Sequence, residues 1–260
     1  MGRTCIFCGQ TANSVEDAWP LWLTERFIAS GSMEAQIGID APPRTWRVKR
    51  PELRIKRVCR KCNNGWMSQL EKRAKPVITR LLDHNACTLD IQDCKTLSLW
   101  ALKTSMVLES VNNLKHWIYT ELERCLLFNR DQIPAFTNVW IAKCVNSPSA
   151  YTISRNLSIA NDQTRAAVTT LAFGSLAIQV RKVVPPAMTH PETTITVEQR
   201  PGSWEKVVLE VWPPPMLVRW PAPMGLLDEH GLETLAERFS PAGSESEDVQ
   251  ESDDLGLDAI

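Results

Sequence analysis

The chain has 260 residues, of which 43% are hydrophobic and 23% charged, with a formal net charge of −1. This balance is ordinary for a globular protein and excludes a fibrous or wholly disordered chain. No stretch approaches the roughly 18 apolar residues of a membrane span, and the N-terminus shows neither a secretory apolar segment nor a myristoylation signal. We therefore expect a cytoplasmic protein without a membrane partner.

The small net charge hides a strong asymmetry along the chain. Residues 44–80 contain 13 Lys and Arg against Glu52 and Glu71, a net charge of +11. Residues 244–260 contain seven Asp and Glu and no base, a net charge of −7. The basic block favours nucleic acid as a partner over a merely solvated surface. The acidic, Ser-rich tail is typical of a disordered segment.

The first motif in the chain is a Cys-x₂-Cys knuckle, Cys5 and Cys8, and its spacing recurs at Cys59 and Cys62. Two such knuckles are the usual source of a tetrahedral four-cysteine site, and zinc is the metal that such sites most often hold. An iron site of the rubredoxin type uses the same ligands and stays open as an alternative. Disulfides are disfavoured, because nothing in the sequence directs the chain to an oxidising compartment.

Fifty residues separate the two knuckles, more than in a simple zinc ribbon. Within this insert, Glu16 and Asp17 precede an aromatic segment that contains Pro20. Because a proline disfavours a helix at the residue before it, we expect the two acids on an extended strand, with side chains on opposite faces. A short helix is expected over residues 21–29.

Basic and apolar residues alternate over residues 45–49 and 53–58. This period predicts two half-buried strands with one cationic face, paired as a hairpin around Pro51. Basic residues within and next to these strands are the candidates for contacts with phosphate groups: Lys49, Arg50, Arg57, Arg60 and Lys61.

Helical spacing of apolar residues follows the second knuckle, over residues 66–82. Pro76 is expected to kink or split this helix. A second helix is predicted from an N-cap at Asp93 to about residue 111. Lys103 lies inside its apolar pattern, where a lysine usually extends its ammonium group to solvent; a buried functional lysine is the less favoured alternative.

Strand signals dominate from residue 138 onward, in the segments 139–145, 150–159, 167–184, 193–198 and 206–211. They predict an antiparallel sheet of four to six strands packed on the middle helices, and so an α+β fold. The expected organisation is a zinc-binding module (1–75), a helical region (76–130), a sheet region with a terminal helix (131–240) and a disordered acidic tail (241–260). No Gly-rich phosphate loop is present, and we expect no organic cofactor.

Three motifs together resemble the HNH (ββα-metal) endonuclease family, and most closely its zinc-stapled, endonuclease VII-like branch: Cys5-x₂-Cys8, Glu16-Asp17-x₂-Pro20 and Cys59-x₂-Cys62-Asn63. The string Cys-Asn-Asn-Gly-Trp-Met at 62–67 is also similar to that of bacterial HNH endonuclease-like proteins. The resemblance covers about residues 3–75. It implies a treble-clef zinc module and hydrolysis of DNA phosphodiester bonds.

In that family an acidic residue and the Asn after the second knuckle hold one divalent ion, and a His deprotonates the attacking water. The resemblance therefore implies Glu16 and Asn63 as ligands of Mg²⁺ or Mn²⁺, ions that prefer oxygen donors. The position of the His is Asp17 here, and a carboxylate is a much weaker base than an imidazole. Asp17 is then a weak base, a ligand of a second ion, or the sign of an inactive site; His84 is a less favoured substitute.

Three functions follow from these observations. The first is a divalent-metal-dependent DNA endonuclease, with catalysis weakened by Asp17. The second is a catalytically inactive, zinc-stapled module that binds nucleic acid. The third is a structural zinc staple on a protein-interaction domain.

Overall fold

The computed structural model describes residues 3–27, 33–37, 44–48, 53–83, 86–111, 117–159, 164–185, 204–223 and 225–239. This part of the chain contains both helices and antiparallel sheets, which confirms the α+β fold class. None of the described helices is long and apolar enough to cross a membrane. Several predictions lie outside the described residues: those for Lys49, Arg50 and His84, the strand at 193–198 and the acidic tail.

The N-terminal part contains four strands and one helix: β1 (Ser14–Asp17), α1 (Leu21–Phe27), β2 (Met33–Ile37), β3 (Arg44–Val48) and β4 (Arg54–Val58). Strand β1 pairs antiparallel with β4, and β2 pairs antiparallel with β3. The predicted hairpin around Pro51 is therefore wrong. Alternation fixes which face of a strand is buried, but it does not select the partner strand.

The second knuckle opens a helical run that is kinked at Gly65. Helix α2 (Arg60–Cys62) is followed by a π-helical turn (Asn63–Met67) and by helix α3 (Ser68–Asp83). The backbone leaves helical geometry at Gly65, with φ −92° and ψ −109°. Helix α3 is not split at Pro76, because its apolar face is held by packing: Leu70, Ala74, Val77, Ile78 and Leu81 are buried.

Strand β5 (Cys87–Asp90) leads directly into the central helix α4 (Ile91–Glu109). The N-cap of α4 is Asp90 and not Asp93. The Asp90 side chain accepts a hydrogen bond from the Asp93 backbone at 2.8 Å, and the Asp93 carboxylate accepts one from the Asp90 backbone at 3.4 Å. Such a reciprocal cap stabilises a helix start by about 1 kcal/mol. From Leu97 to Glu109 every residue of α4 is buried, so the helix runs through the middle of the protein.

The C-terminal half is built on a three-stranded antiparallel sheet in the order β7-β6-β8. Its strands are β6 (Thr137–Ile159), β7 (Thr164–Val184) and β8 (Val208–Trp212). The two strands predicted over 139–159 form one strand, β6, whose register with β7 shifts between Lys143 and Tyr151. Within the described residues the sheet has three strands instead of the predicted four to six.

Helix α5 (Glu121–Arg130) precedes this sheet, and three short elements complete the described fold: α6 (Trp204–Val207), β9 (Leu217–Trp220) and α7 (Glu229–Glu237). Strand β9 does not join the sheet but pairs antiparallel with β5. Helix α7 packs on β7, opposite the side that α4 occupies, within a second group of buried apolar residues that includes Trp140, Val168, Leu235 and Phe239.

A single main core connects the N-terminal module to the rest of the protein. It extends from the cysteines of both knuckles through α3 and α4 to the sheet, and includes Leu70, Trp100 and Val180. Arg124 of α5 adds polar contacts to the first knuckle, because its Nε donates a hydrogen bond to the carbonyl of Ile6 at 2.9 Å. The module is therefore seated on the central helices by buried apolar surface.

Candidate metal centre and basic surface

The cysteine cluster consists of Cys5, Cys8, Cys59 and Cys62, whose sulfur atoms all lie within 4.8 Å of one another. The Sγ atoms of Cys8 and Cys59 are 3.5 Å apart. Four sulfurs placed about 2.3 Å from one ion in a tetrahedron are about 3.8 Å apart, so the cluster has the size that a metal ion requires. The prediction that the two knuckles meet and can hold a metal ion is confirmed.

Local backbone geometry aims the sulfurs inward. In the first knuckle the Gly9 amide donates to the Cys5 carbonyl at 2.9 Å, and Gly9 has a φ of +72°, which favours glycine. In the second knuckle the Cys62 amide donates to the sulfur of Cys59 at 3.4 Å. The knuckles are joined by a hydrogen bond from the Ile6 amide to the Arg57 carbonyl, 3.0 Å long.

Hydrogen bonds between the cysteine side chains give the four thiols of the cluster different pKa values. The hydrogen bond from the Cys62 thiol lowers the pKa of Cys5 to about 4, and the same interaction raises the pKa of Cys62 far above its ordinary value. Burial raises the pKa of Cys8. A bound cation supplies the positive charge that allows all four cysteines to act as thiolates.

Asn63, which follows the second knuckle, holds strand β1 in place. Its Nδ2 donates hydrogen bonds to Ser14 Oγ at 3.0 Å and to the Val15 carbonyl at 2.7 Å. The side chain thus connects the helical turn after Cys62 to the strand that carries both acidic residues.

The two acids of β1 point to opposite faces, as predicted. Glu16 is 6% exposed, whereas half of the Asp17 side chain is exposed. Asp17 Oδ1 lies 3.9 Å from Arg54 Nε, a loose surface pair. The inward face of the strand therefore delivers only Glu16 to the interior.

Glu16 is bound by a lysine that the sequence reasoning placed elsewhere. The Nζ of Lys103 lies 2.6 Å from Glu16 Oε1, and the Lys103 side chain is 1% exposed. The prediction that Lys103 reaches solvent is wrong, because α4 is covered on all sides by other elements. Burying the two charges together costs less than burying either one alone.

A third carboxylate, Glu71 of α3, belongs to the same neighbourhood. Burial raises its pKa; the nearby ammonium of Lys103 and a polar contact with the Trp22 indole lower it, and the carboxylates of Glu16 and Asp17 raise it. Lys103 of α4 thus pairs with Glu16 of β1 and also acts through its charge on Glu71 of α3. The sequence reasoning missed this grouping, although Lys103 is the only charged residue in the run 97–108.

The basic surface consists of exposed side chains next to the second knuckle, on β4 and α2: Arg54, Lys56, Arg60 and Lys61. Arg57 lies half-buried beside them, and burial lowers its pKa, with a further contribution from Arg3. The Arg60 backbone amide donates to Asn13 Oδ1 at 2.9 Å, which fixes the start of α2. Residues 53–83 carry nine Lys and Arg against two acids, so this part of the module is strongly cationic.

Comparison of the chain with protein-family models, with curated proteins and with solved structures found no match in any of the three.

Proposed function

We propose that the chain binds nucleic acid through the basic surface, and that a structural zinc ion in the cysteine cluster fixes this surface. The observation that carries the proposal is the position of Arg60 and Lys61 between Cys59 and Cys62. Their side chains are exposed while the flanking cysteines are buried. A metal ion bound by the sulfur atoms of Cys59 and Cys62 therefore also fixes the positions of Arg60 and Lys61.

Strand β4 extends the same surface. Ile55 and Val58 are 3% and 0% exposed, whereas Arg54 and Lys56 face solvent. A strand that buries its apolar side chains and presents cations at every second residue offers evenly spaced contacts to a phosphate backbone. The order of a first knuckle, paired strands and a second knuckle at a helix start also supports a treble-clef module of the HNH-like type.

Four cysteines without oxygen ligands favour zinc over harder cations. Intact thiolates of this kind fit a reducing compartment, and so a cytoplasmic protein. DNA is the proposed partner, following the resemblance to zinc-stapled endonucleases.

Divalent-metal-dependent hydrolysis of DNA is the second candidate function. The observation that favours it is that Asn63 holds the strand that carries Glu16 and Asp17, while the charges of both acids raise the pKa of Glu71. In this candidate Glu16 and Asn63 are the proposed ligands of Mg²⁺ or Mn²⁺, with Asp17 as base or further ligand. The ion pair with Lys103 weighs against it, because the ammonium group already neutralises Glu16.

Fluorescence anisotropy of labelled DNA, titrated at several salt concentrations, tests the binding proposal. We expect log affinity to fall steeply with log salt, and the double variant Arg60→Gln/Lys61→Gln to bind more weakly with a slope reduced by about two. The matched control is Lys206→Gln/Arg219→Gln, which removes two exposed cations from the sheet region. Salt-independent binding, or equal losses in both double variants, would reject the proposal.

Incubation of plasmid DNA with the protein and Mn²⁺ or Mg²⁺ separates the two candidates. Cleavage that requires the ion, and that is lost in Glu16→Gln while the variant stays folded by circular dichroism, would establish hydrolysis. Retained binding without product at any pH would leave the zinc-stapled binding module.

A further inference from the structure

Two arginines meet in the second group of buried apolar residues, far along the chain from the cysteine cluster. Arg181 lies on β7, and Arg238 directly follows α7 and is 1% exposed. The Cζ atom of Arg238 lies 4.4 Å from the ring centroid of Trp140, 4.4 Å from that of Phe239 and 5.6 Å from that of Trp204. Aromatic rings thus surround a fully buried guanidinium group.

Arg181 shares two of these rings. Its Cζ lies 5.1 Å from the centroid of Trp140 and 4.6 Å from that of Phe239. The two rings therefore contact both guanidinium groups. Cation–π contacts of this kind stabilise each charge, but they do nothing to remove the repulsion between two like charges.

Several N–H donors of this pair have no acceptor among the residues that the structure describes. Arg238 Nε and Nη1 and Arg181 Nε are buried and make no hydrogen bond. The rings contribute cation–π attraction to each guanidinium group, which is not a conventional hydrogen bond to these N–H groups. Buried donors normally find a partner, so three without one in a single place indicate a site for an acceptor.

The charge of Glu210 acts on both arginines and compensates only part of their charge. Arg181 Nη2 donates to Asn138 Oδ1 at 2.8 Å, and Asn138 Nδ2 in turn donates to Glu210 Oε1 at 2.8 Å. In the described part of the chain, neither arginine forms a salt bridge with a carboxylate. The pKa of Arg238 is lowered to about 9, chiefly by burial and also by the charge of Arg181, against an opposing effect of Glu210. Glu210 can offset only one of the two positive charges that Arg181 and Arg238 carry.

We propose that Arg181 and Arg238, with the rings of Trp140, Trp204 and Phe239 around them, form a binding site for a single small oxyanion. The group bound is a phosphate or a carboxylate. Its oxygen atoms accept hydrogen bonds from the guanidinium N–H groups of both arginines that have no other acceptor among the described residues. Arg181 and Asn138 are partly exposed and Glu210 is exposed, so the anion enters beside Arg181. Surrounding rings exclude water, which strengthens charge-assisted hydrogen bonds to the anion.

Isothermal titration calorimetry on the full chain tests the site, with sodium phosphate, sodium acetate and sodium chloride at matched ionic strength as titrants. We expect saturable binding of one phosphate or acetate per chain, and none of chloride. Arg181→Gln and Arg238→Met should each weaken binding about tenfold or more, because each removes charge-assisted donors. Phosphate binding without acetate binding would identify a phosphate ligand, and the reverse a carboxylate.

Two controls locate the binding. Arg219→Met removes an exposed cation of β9 and should leave the affinity unchanged. Arg60→Gln/Lys61→Gln should also leave it unchanged, which separates this site from the basic surface of the N-terminal module. If Arg238→Met fails to fold by circular dichroism, the partly exposed Arg181→Gln decides. Absence of saturable oxyanion binding to the unmodified chain, or undiminished affinity in Arg181→Gln, would overturn the proposal.

Discussion

Glu16 of β1 and Lys103 of α4 are 87 residues apart in the sequence and form a buried ion pair, with 2.6 Å between Oε1 and Nζ. The pair ties the strand between the two knuckles to the central helix. Each charge is compensated only by contacts that exist in the folded chain. The same contact places an ammonium group beside Glu16, which the resemblance to HNH nucleases implies as a metal ligand.

Removing one member of this pair should destabilise the fold strongly. We expect Lys103→Met and Glu16→Gln each to lower the free energy of unfolding by about 3–5 kcal/mol, because each leaves a buried group without its partner. The double variant should lose less than the sum of the two. Urea denaturation measures all three, and strictly additive losses would show that the pair does not interact energetically.

Loss of one cysteine ligand should remove both the metal and the folded N-terminal module. We expect Cys59→Ser to lower the metal content from one ion per chain towards zero, measured by elemental analysis, because ligand binding supplies much of such a module's folding energy. Cys125→Ser is the matched control, since its sulfur lies outside the cysteine cluster. Equal metal content in the two variants would contradict the assignment of the ligands.

The amide of Asn63 should contribute to stability without contributing to the cysteine cluster. Asn63→Ala removes hydrogen bonds to Ser14 and Val15, and we expect a loss of about 1–3 kcal/mol in the free energy of unfolding. Metal content should stay at one ion per chain. A variant that loses its metal would show that Asn63 orients the second knuckle as well as strand β1.

Glu71 should make stability depend on pH. Its pKa is raised in the folded chain by burial, so the folded state favours the protonated acid. The stability that protonation provides is fully present below the unfolded pKa of about 4.3 and is lost as pH rises through the folded value. We therefore expect Glu71→Gln to gain stability over the unmodified chain as pH rises from about 4 to about 7.

The control for this pH series is Glu121→Gln, an exposed residue of the first turn of α5. Denaturation midpoints of the three proteins at each pH provide the comparison. A difference between Glu71→Gln and the unmodified chain that does not change with pH would show that Glu71 is held charged by Lys103 throughout.

What could be predicted from sequence is what short-range chemistry determines. The spacing of Cys5, Cys8, Cys59 and Cys62 specifies a metal cluster wherever the chain between the knuckles folds back. Likewise, the alternation of side chains along a strand places Glu16 and Asp17 on opposite faces, whichever strand pairs with β1.

The errors concern contacts that only tertiary packing decides. Nothing local pairs β4 with β1 in preference to β3, and nothing near Lys103 indicates an acid 87 residues earlier. The available signal for this buried pair was the single charge of Lys103 within an otherwise apolar helical segment. A lysine in such a run should be interpreted as half of a buried pair whenever the helix shows no polar face.

Aromatic contacts join the knuckle region to elements beyond residue 120. Trp66 lies 5.8 Å from Phe128 of α5, and Trp19 lies 5.1 Å from Phe173 of β7, between ring centroids. A fragment cut near residue 83 would leave Trp66 and Trp19 without these rings and more exposed to water, whatever ion its thiolates held. Metal alone then cannot make the first third of this chain an autonomous folding unit; the aromatic neighbours contributed by later residues complete it.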